Sequence, residues 1–355
     1  MKRDFTLSSE RHFAGRSSPG RGISVTNAMN GVCIGVSDAE TSLAFYRRLG
    51  FEDVLSDSTG YLRELEPVIG ALLEARLVTV RDRQKVSCLR IVEHTSTRPI
   101  PAPGLSQWGD SGYLELGLRA SLLEQLYLDL KNRGVKFITP VRSLEGASGV
   151  RRKYAYLRDP DGLLLQLVEV PGGVRPGVGG IHHVGIGVRD MEDSRRFYGL
   201  LGFDRVLEEF KGRLPELDEI TGRREIEILI LAPSKERGPG SPLLKLIRTP
   251  GHAGRPVLEG RRWGDIGIAE AEFVLDDLGE CVSRAMGAGT ELFGLPSRLE
   301  GGQGLLAYVR SPEGAIIRLT EGRESLGESR HGLKRALDRL KGSVSRPGSD
   351  NRELT

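Results

Sequence analysis

The chain has 355 residues, more than one ordinary domain of ~100 to 200 residues uses, and predicts two units. Its 51 Lys and Arg against 48 Asp and Glu leave a formal charge of +3, which argues against a dedicated nucleic-acid binder; no run of ~18 apolar residues offers a membrane span. Glycine, 47 residues or about 13% against a usual ~7%, implies many tight turns, and Cys33, Cys88 and Cys281 lack the CxxC spacing of a zinc cage or disulfide framework, which fits a reducing, cytoplasmic setting.

In chain order, residues 1–28 are basic but carry no apolar h-region, so a disordered tail is expected rather than a secretory signal. GVCIGVSD from Gly31 reads as a strand, and Phe45 and Tyr46 lie late in the helix that follows it as core residues. RDRQK reads as a solvated loop, CLRIVE carries Arg90, and WGDSGYLEL from Trp108 leads into a further strand. AYLRDPDG from Ala155 ends in a turn. The segment PGGVRPGVGG, residues 171–180, has no apolar pattern to bury and reads as a linker.

Beyond it, IHHVGIGV reads as a strand, MEDSRRFYGLLG as a helix closed by Gly202, KGRLPELDE as a solvated loop, and EIEILILA and LLKLIR as strands. IAEAEFVL is a strand, LGECVSRAMGAG a helix, and GLLAYVRS with AIIRLTE a hairpin turned by SPEG, where Pro312 presets the first corner and Gly314 can take positive φ. Residues 323–355 form a polar tail, in which GLKRALDRLK offers a short basic surface helix with Leu333, Ala336, Leu337 and Leu340 on one face.

The chain is duplicated. GVCIGVSD and HVGIGVRD, and AFYRRLGF and RFYGLLGF, repeat at an offset of 152; Trp108 plus 155 is Trp263; AYLRDPDG and AYVRSPEG return to 152. Each copy divides again into strand, helix and strands, so the pattern runs four times, in units 29–171 and 181–322 joined by a linker at 172–180.

These motifs resemble the vicinal oxygen chelate superfamily of glyoxalases, extradiol dioxygenases, methylmalonyl-CoA epimerases and bleomycin- and fosfomycin-resistance proteins; the resemblance covers nearly everything but the tails and linker. It implies an α+β fold of four βαβββ modules, paired within each unit so that their sheets form two cups. It also implies four inward positions per cup, where many members chelate a divalent metal. Carried over, these are His183, Lys245, Glu270 and Arg318 in the second unit, and Gly31, Arg90, Glu115 and Gln166 in the first.

Strand alternation gives the same directions. If Val184, Ile186 and Val188 face the helix, His183, Gly185 and Gly187 face the cup, and the glycines leave room for a ligand. Glu115, Glu270 and Glu272 likewise point inward, Cys33 faces the first cup, and His182 should face the helix side as packing. Lysine and arginine have no lone pair to give a metal near neutral pH, so no metal or other cofactor is expected, a divalent metal being the alternative. Salt bridges of Glu115 with Arg90, and of Glu270 with Lys245 and Arg318, are expected in place of the chelate.

His183, Glu270 and Glu115 are therefore the candidate catalytic residues, and Lys245, Arg318, Arg90 and Gln166 the candidate ligand-binding ones. The repeated WGD reads as fixing the module junction, with stacking on substrate as the rival. The functional expectation is an enzyme of isomerase or lyase type acting on a small carbonyl- or carboxylate-bearing metabolite, as a monomer or homodimer, with no nucleic-acid or membrane partner. A non-catalytic, resistance-type binding protein and a metal-dependent glyoxalase or dioxygenase are the alternatives. On this reading Arg318 governs ligand affinity and Gln166 does not.

Overall fold

The structure is a computed structural model that describes residues 28–321 apart from 86, 102–106, 146–150, 173–174, 235–240, 253, 295 and 299–304. The tail expected at the N-terminus, Ala28 excepted, and the basic helix around residues 333–340 lie outside the described residues. The first module holds β1 (Ala28–Gly35), α1 (Ala39–Arg48), β2 (Phe51–Tyr61), the short α2 (Glu66–Ile69), β3 (Glu74–Asp82) and β4 (Cys88–His94). The second holds β5 (Gly112–Ser121), α3 (Leu123–Asn132), β6 (Arg142–Glu145), β7 (Arg151–Arg158) and β8 (Leu164–Glu169). The third holds β9 (Gly177–Gly187), α4 (Met191–Leu200), β10 (Arg205–Gly212), the short α5 (Asp218–Thr221), β11 (Ile226–Ala232) and β12 (Leu243–Arg248). The fourth holds β13 (Gly267–Leu275), α6 (Leu278–Gly287), β14 (Ser297–Arg298), β15 (Leu305–Arg310) and β16 (Ile316–Glu321).

Local chemistry explains why the four modules repeat. Asp38, Asp190 and Asp277 each cap a helix by accepting a backbone N–H of its first turn. The long helices are followed by Gly50, Gly134, Gly202 and Gly289, all near φ +85° (88, 84, 86 and 83), a conformation that a Cβ would strain.

The strands form two eight-stranded sheets with orders β14-β15-β16-β13-β1-β4-β3-β2 and β10-β11-β12-β9-β5-β8-β7-β6. The α+β class and the two paired cups stand, but the partnership differs from the expected one. The first module joins the fourth through antiparallel β1 and β13, and the second joins the third through antiparallel β5 and β9. We call these the outer and inner cups. β9 starts at Gly177, so residues 177–180, expected in the linker, are strand, with Gly177 opposite Ser121 and Val178 opposite Ala120.

One large core lies on the helix side of both sheets and unites residues of all four modules, among them Val32, Leu43, Leu116, Leu165, Val184, Phe197, Phe273 and Leu319. The repeated turns tie modules of the same half together: Tyr46 on α1 donates to Asp159 Oδ2 at 2.9 Å, and Ser194 on α4 donates to Glu313 of SPEG. Sequence neighbours thus dock through helices and turns, whereas the cups form across the halves.

Candidate functional site

Each cup collects its four inward positions from both halves. The inner cup holds Glu115 (β5), Gln166 (β8), His183 (β9) and Lys245 (β12); the outer cup holds Gly31 (β1), Arg90 (β4), Glu270 (β13) and Arg318 (β16). The expected sets are therefore split: His183 and Lys245 do not share a cup with Glu270 and Arg318. The expected salt bridges change partners for the same reason. Glu115 pairs with Lys245, not Arg90, and Glu270 pairs with Arg90, not Lys245.

In the inner cup, the buried Glu115 accepts from Lys245 Nζ at 2.7 Å and from His183 Nε2 at 3.0 Å, both on Oε1, while Trp108 Nε1 donates to Oε2 at 2.9 Å. The Lys245 ammonium also lies 4.4 Å from the centre of the Trp108 ring and 3.4 Å from Gln166 Oε1. Burial alone would raise the Glu115 pKa, but the charge of Lys245 and the His183 hydrogen bond outweigh it and hold the carboxyl down at about 2. Burial lowers His183, against the pull of Glu115. The result is an ionised glutamate with both oxygens engaged, beside a neutral imidazole.

Glycine makes this packing possible, though not by leaving room for a ligand. A Cβ on Gly117 would overlap the His183 ring and one on Gly185 would overlap Glu115 Cγ, so both spaces are filled by the protein's own side chains. His182 departs from alternation. The β5–β9 register passes from Gly117 opposite His183 to Leu118 opposite Ile181, and this bulge brings His182 to the cavity as well, with its Nδ1 2.9 Å from His183 Nδ1.

A concavity of about 810 Å³, its open mouth included, lies over this floor. Trp108, Gln166, His182, His183 and Lys245 line its base, and Phe210, Leu214, Leu217, Ile228 and Ile230 line its apolar wall. Leu214 and Leu217 come from KGRLPELDE, expected to be a solvated loop; instead it folds over the cup and buries both leucines. Tyr154 also faces this space, and its hydroxyl is buried without a partner.

The outer cup repeats the plan in a different chemistry. Trp263 Nε1 donates to Glu270 Oε2 at 2.6 Å, and Arg90 donates to Oε1. Arg318 reaches Tyr308 OH at 3.3 Å and lies 3.7 Å from Glu272. Cys33, Leu65, Leu306, Tyr308 and Trp263 pack into one apolar cluster in this cup. Burial pushes the Cys33 thiol up to about 11, which removes thiolate character and any nucleophilic use.

The WGD motif serves two ends. Its aspartates hold the loops that cross between cups, Asp110 with Arg255 at 3.0 Å and Asp265 accepting Ile100 N–H at 2.8 Å. Its tryptophans orient the cup glutamates, a role sequence reasoning missed although both indoles stand seven residues before their glutamate.

The donor set does not fit the divalent metal that the resemblance implies. Lys245 and Arg90 occupy one of the four positions in each cup and hold the glutamate themselves, and among the described residues no group of three His, Cys, Asp or Glu side chains could hold a metal ion.

Residues 180–319 match the family model described as Glyoxalase/Bleomycin resistance protein/Dioxygenase superfamily. The match covers the second half of the chain and agrees with the family that its motifs resemble, while the first half is tied to it by the internal repeat and by the tandem-domain fold. Among solved structures, it is similar to a glutamate-to-glutamine variant of glyoxalase I from Zea mays (TM-score 0.60, 16% identity, 84% of this chain and 94% of that one). It is also similar to glyoxalase I from Zea mays (TM-score 0.56, 15% identity, 87% and 97%). A protein from Bacillus subtilis proposed to be a dioxygenase gives a TM-score of 0.53 at 11% identity over 92% and 98% of the two chains. At such identities the likeness is one of fold. No curated protein matches the sequence.

The Glu115 cluster predicts an acid-sensitive fold. A carboxyl held below its ordinary 4.5 adds stability that is complete above that value and is lost as the pH falls toward about 2. His183, whose pKa is lowered, acts in the same direction from 6.5 downward. Urea midpoints should therefore fall between pH 4.5 and 2, and Glu115→Gln should flatten that limb. An identical acid limb in the variant would sever Glu115 from the effect.

Proposed function

We propose that the inner cup binds a small molecule that presents a carboxylate or carbonyl oxygen to Lys245 and Gln166 and rests an apolar body on Phe210, Leu214, Leu217, Ile228 and Ile230, without a chelated metal. The observation that carries this reading is the Lys245 ammonium seated on Glu115 at 2.7 Å at the base of an apolar-walled cavity. An ammonium has three N–H donors; two point to Glu115 and Gln166, and the third can meet a ligand oxygen. A hydrogen bond to a charged group is worth ~1.5 to 3 kcal/mol, more when water is excluded.

A second reading is catalysis of isomerase or lyase type, in which Lys245 and Gln166 stabilise a developing enolate. The neutral imidazoles of His183 and His182 beside Lys245 favour it. Glu115, saturated and held at about 2, is then an anchor and not the base, and Glu270, bound by Arg90 and Trp263, has the same standing in the outer cup.

Tryptophan fluorescence tests which cup binds, because the chain has only Trp108 and Trp263, one in each. Titration with 3-phenylpropanoate, an apolar ring carrying one carboxylate, should change the emission of the parent and of Trp263→Phe but not of Trp108→Phe. A chelator should leave the titration unchanged. Gln166→Ala should weaken binding and Arg318→Ala should not, the reverse of the expectation from sequence, because Gln166 shares the inner cup with Lys245. A response confined to Trp263, or one abolished by chelator, would overturn the reading.

A further inference from the structure

The inner cup carries three side chains in one hydrogen-bonded row, and their chemistry leaves a single assignment of protons. Glu115 is ionised and can only accept, so the 3.0 Å contact with His183 requires a proton on His183 Nε2. His183 is neutral near pH 7, its pKa being lowered by burial, so its Nδ1 is bare. The 2.9 Å contact between the two Nδ1 atoms then requires the proton on His182 Nδ1. Burial, and after it His183, Arg119, Arg152 and Lys245, holds His182 well below 6.5, so it too is neutral and its Nε2 carries a free lone pair. His182 is half-buried and lines the cavity, and with its Nδ1 edge turned to His183 the Nε2 edge is the one left for a ligand.

The other groups at this floor that are open to a ligand donate, and the one carboxylate on the cavity wall, Glu208, is paired with Arg152 at 3.2 Å. Lys245 offers an ammonium N–H and Gln166 its amide N–H₂, its oxygen facing Lys245. An anion or a carbonyl alone satisfies those donors and leaves His182 with nothing to accept. We propose that His182 is a specificity residue: its Nε2 accepts a hydrogen bond from a hydroxyl that the ligand carries next to its carboxylate or carbonyl, so the cup selects 2-hydroxy acids or α-hydroxy carbonyl compounds on an apolar body. An ammonium in place of the hydroxyl is disfavoured by Arg119, Arg152 and Lys245, whose charges act on this imidazole.

The duplicate cup supports the assignment by contrast. Asn30 and Gly31 stand at the positions of His182 and His183 by the offset of 152, and the β1–β13 register shifts at Asn30 as the β5–β9 register does at His182. The bulge belongs to the fold, whereas the pair of imidazoles belongs to the inner cup.

The inference rests on the reading of the inner cup as a ligand site, and two probes separate them: 3-phenyllactate and 3-phenylpropanoate, which differ by one hydroxyl. Calorimetric titration of the full chain should show the hydroxylated acid binding about 3- to 10-fold more tightly, the range a net neutral hydrogen bond supplies. His182→Phe should bind both acids alike, its retained affinity for 3-phenylpropanoate showing an intact cup. His182→Asn, which keeps an acceptor oxygen, should recover part of the preference. Equal binding of the two acids by the parent, weakened in Gln166→Ala, would refute the role of His182 and leave the ligand site standing. A preference that survives in His182→Phe would refute it equally, and binding of neither acid would overturn both proposals.

Discussion

Replacing Lys245 by methionine should cost about 3 to 5 kcal/mol of unfolding free energy, the usual penalty for stranding one partner of a buried ion pair. Glu115 is fully buried and Lys245 only 6% exposed, so water cannot take over from the lost ammonium. The remaining partners, His183 and Trp108, supply hydrogen bonds without a charge. The Glu115 carboxyl would escape by taking up a proton, so the variant should be least stable at neutral pH and gain on acidification toward pH 5, opposite to the parent. Glu115→Gln added to Lys245→Met removes the stranded charge and should restore much of the loss, a coupling of ~2 kcal/mol or more by double-mutant cycle. Denaturant unfolding at pH 7 and pH 5 measures both terms. Strict additivity would mean that the pair does not hold the cup.

The inward positions were legible in the sequence because strand alternation is a local property. Glu115, Glu270 and His183 all lie on the cup side, and Val184, Ile186, Ala271 and Phe273 all lie in the core. His182 was misplaced because one bulged residue resets the alternation, and a bulge leaves no mark on a hydrophobic pattern. Leu214 and Leu217 were hidden by the charges around them in KGRLPELDE, since a short lid buries two side chains and exposes the rest. The partnership of the modules failed for a different reason. The repeat shows that four modules exist, but each pairing edge fits more than one partner, so similarity cannot choose between them.

Loop length does carry that choice. The chain passes from β8 to β9 through residues 170–176 alone, and these two strands flank β5 in one sheet. It passes from β4 to β5 through residues 95–111 and from β12 to β13 through residues 249–266, and in both cases it changes sheet. A short link keeps neighbouring modules in one sheet, whereas the longer ones reach across to the other. The WGD aspartates lie in or beside these crossings and hold them, through Arg255 and Ile100.

A chain cut within residues 171–176 should therefore remain one particle. Each sheet spans the cut, β1 with β13 and β5 with β9, and the core on the helix side mixes residues of all four modules. Separation would expose β1, β5, β9 and β13 as unpaired edges together with the buried leucines and valines behind them, at ~25 cal/mol per Å² of apolar surface. Gel filtration of the nicked protein should give the elution volume of the intact chain, with separation only in denaturant. The halves produced singly, residues 28–172 and 173–321, should be insoluble or self-associating, and produced together they should co-purify in equal amounts and regain the Trp108 response to 3-phenylpropanoate. The inner cup draws Glu115 and Gln166 from one half and His183 and Lys245 from the other, so neither half alone can show that response. Two stable, monomeric halves released by a single cut would contradict the cross-half pairing and return the four inward residues to the sets expected from sequence order.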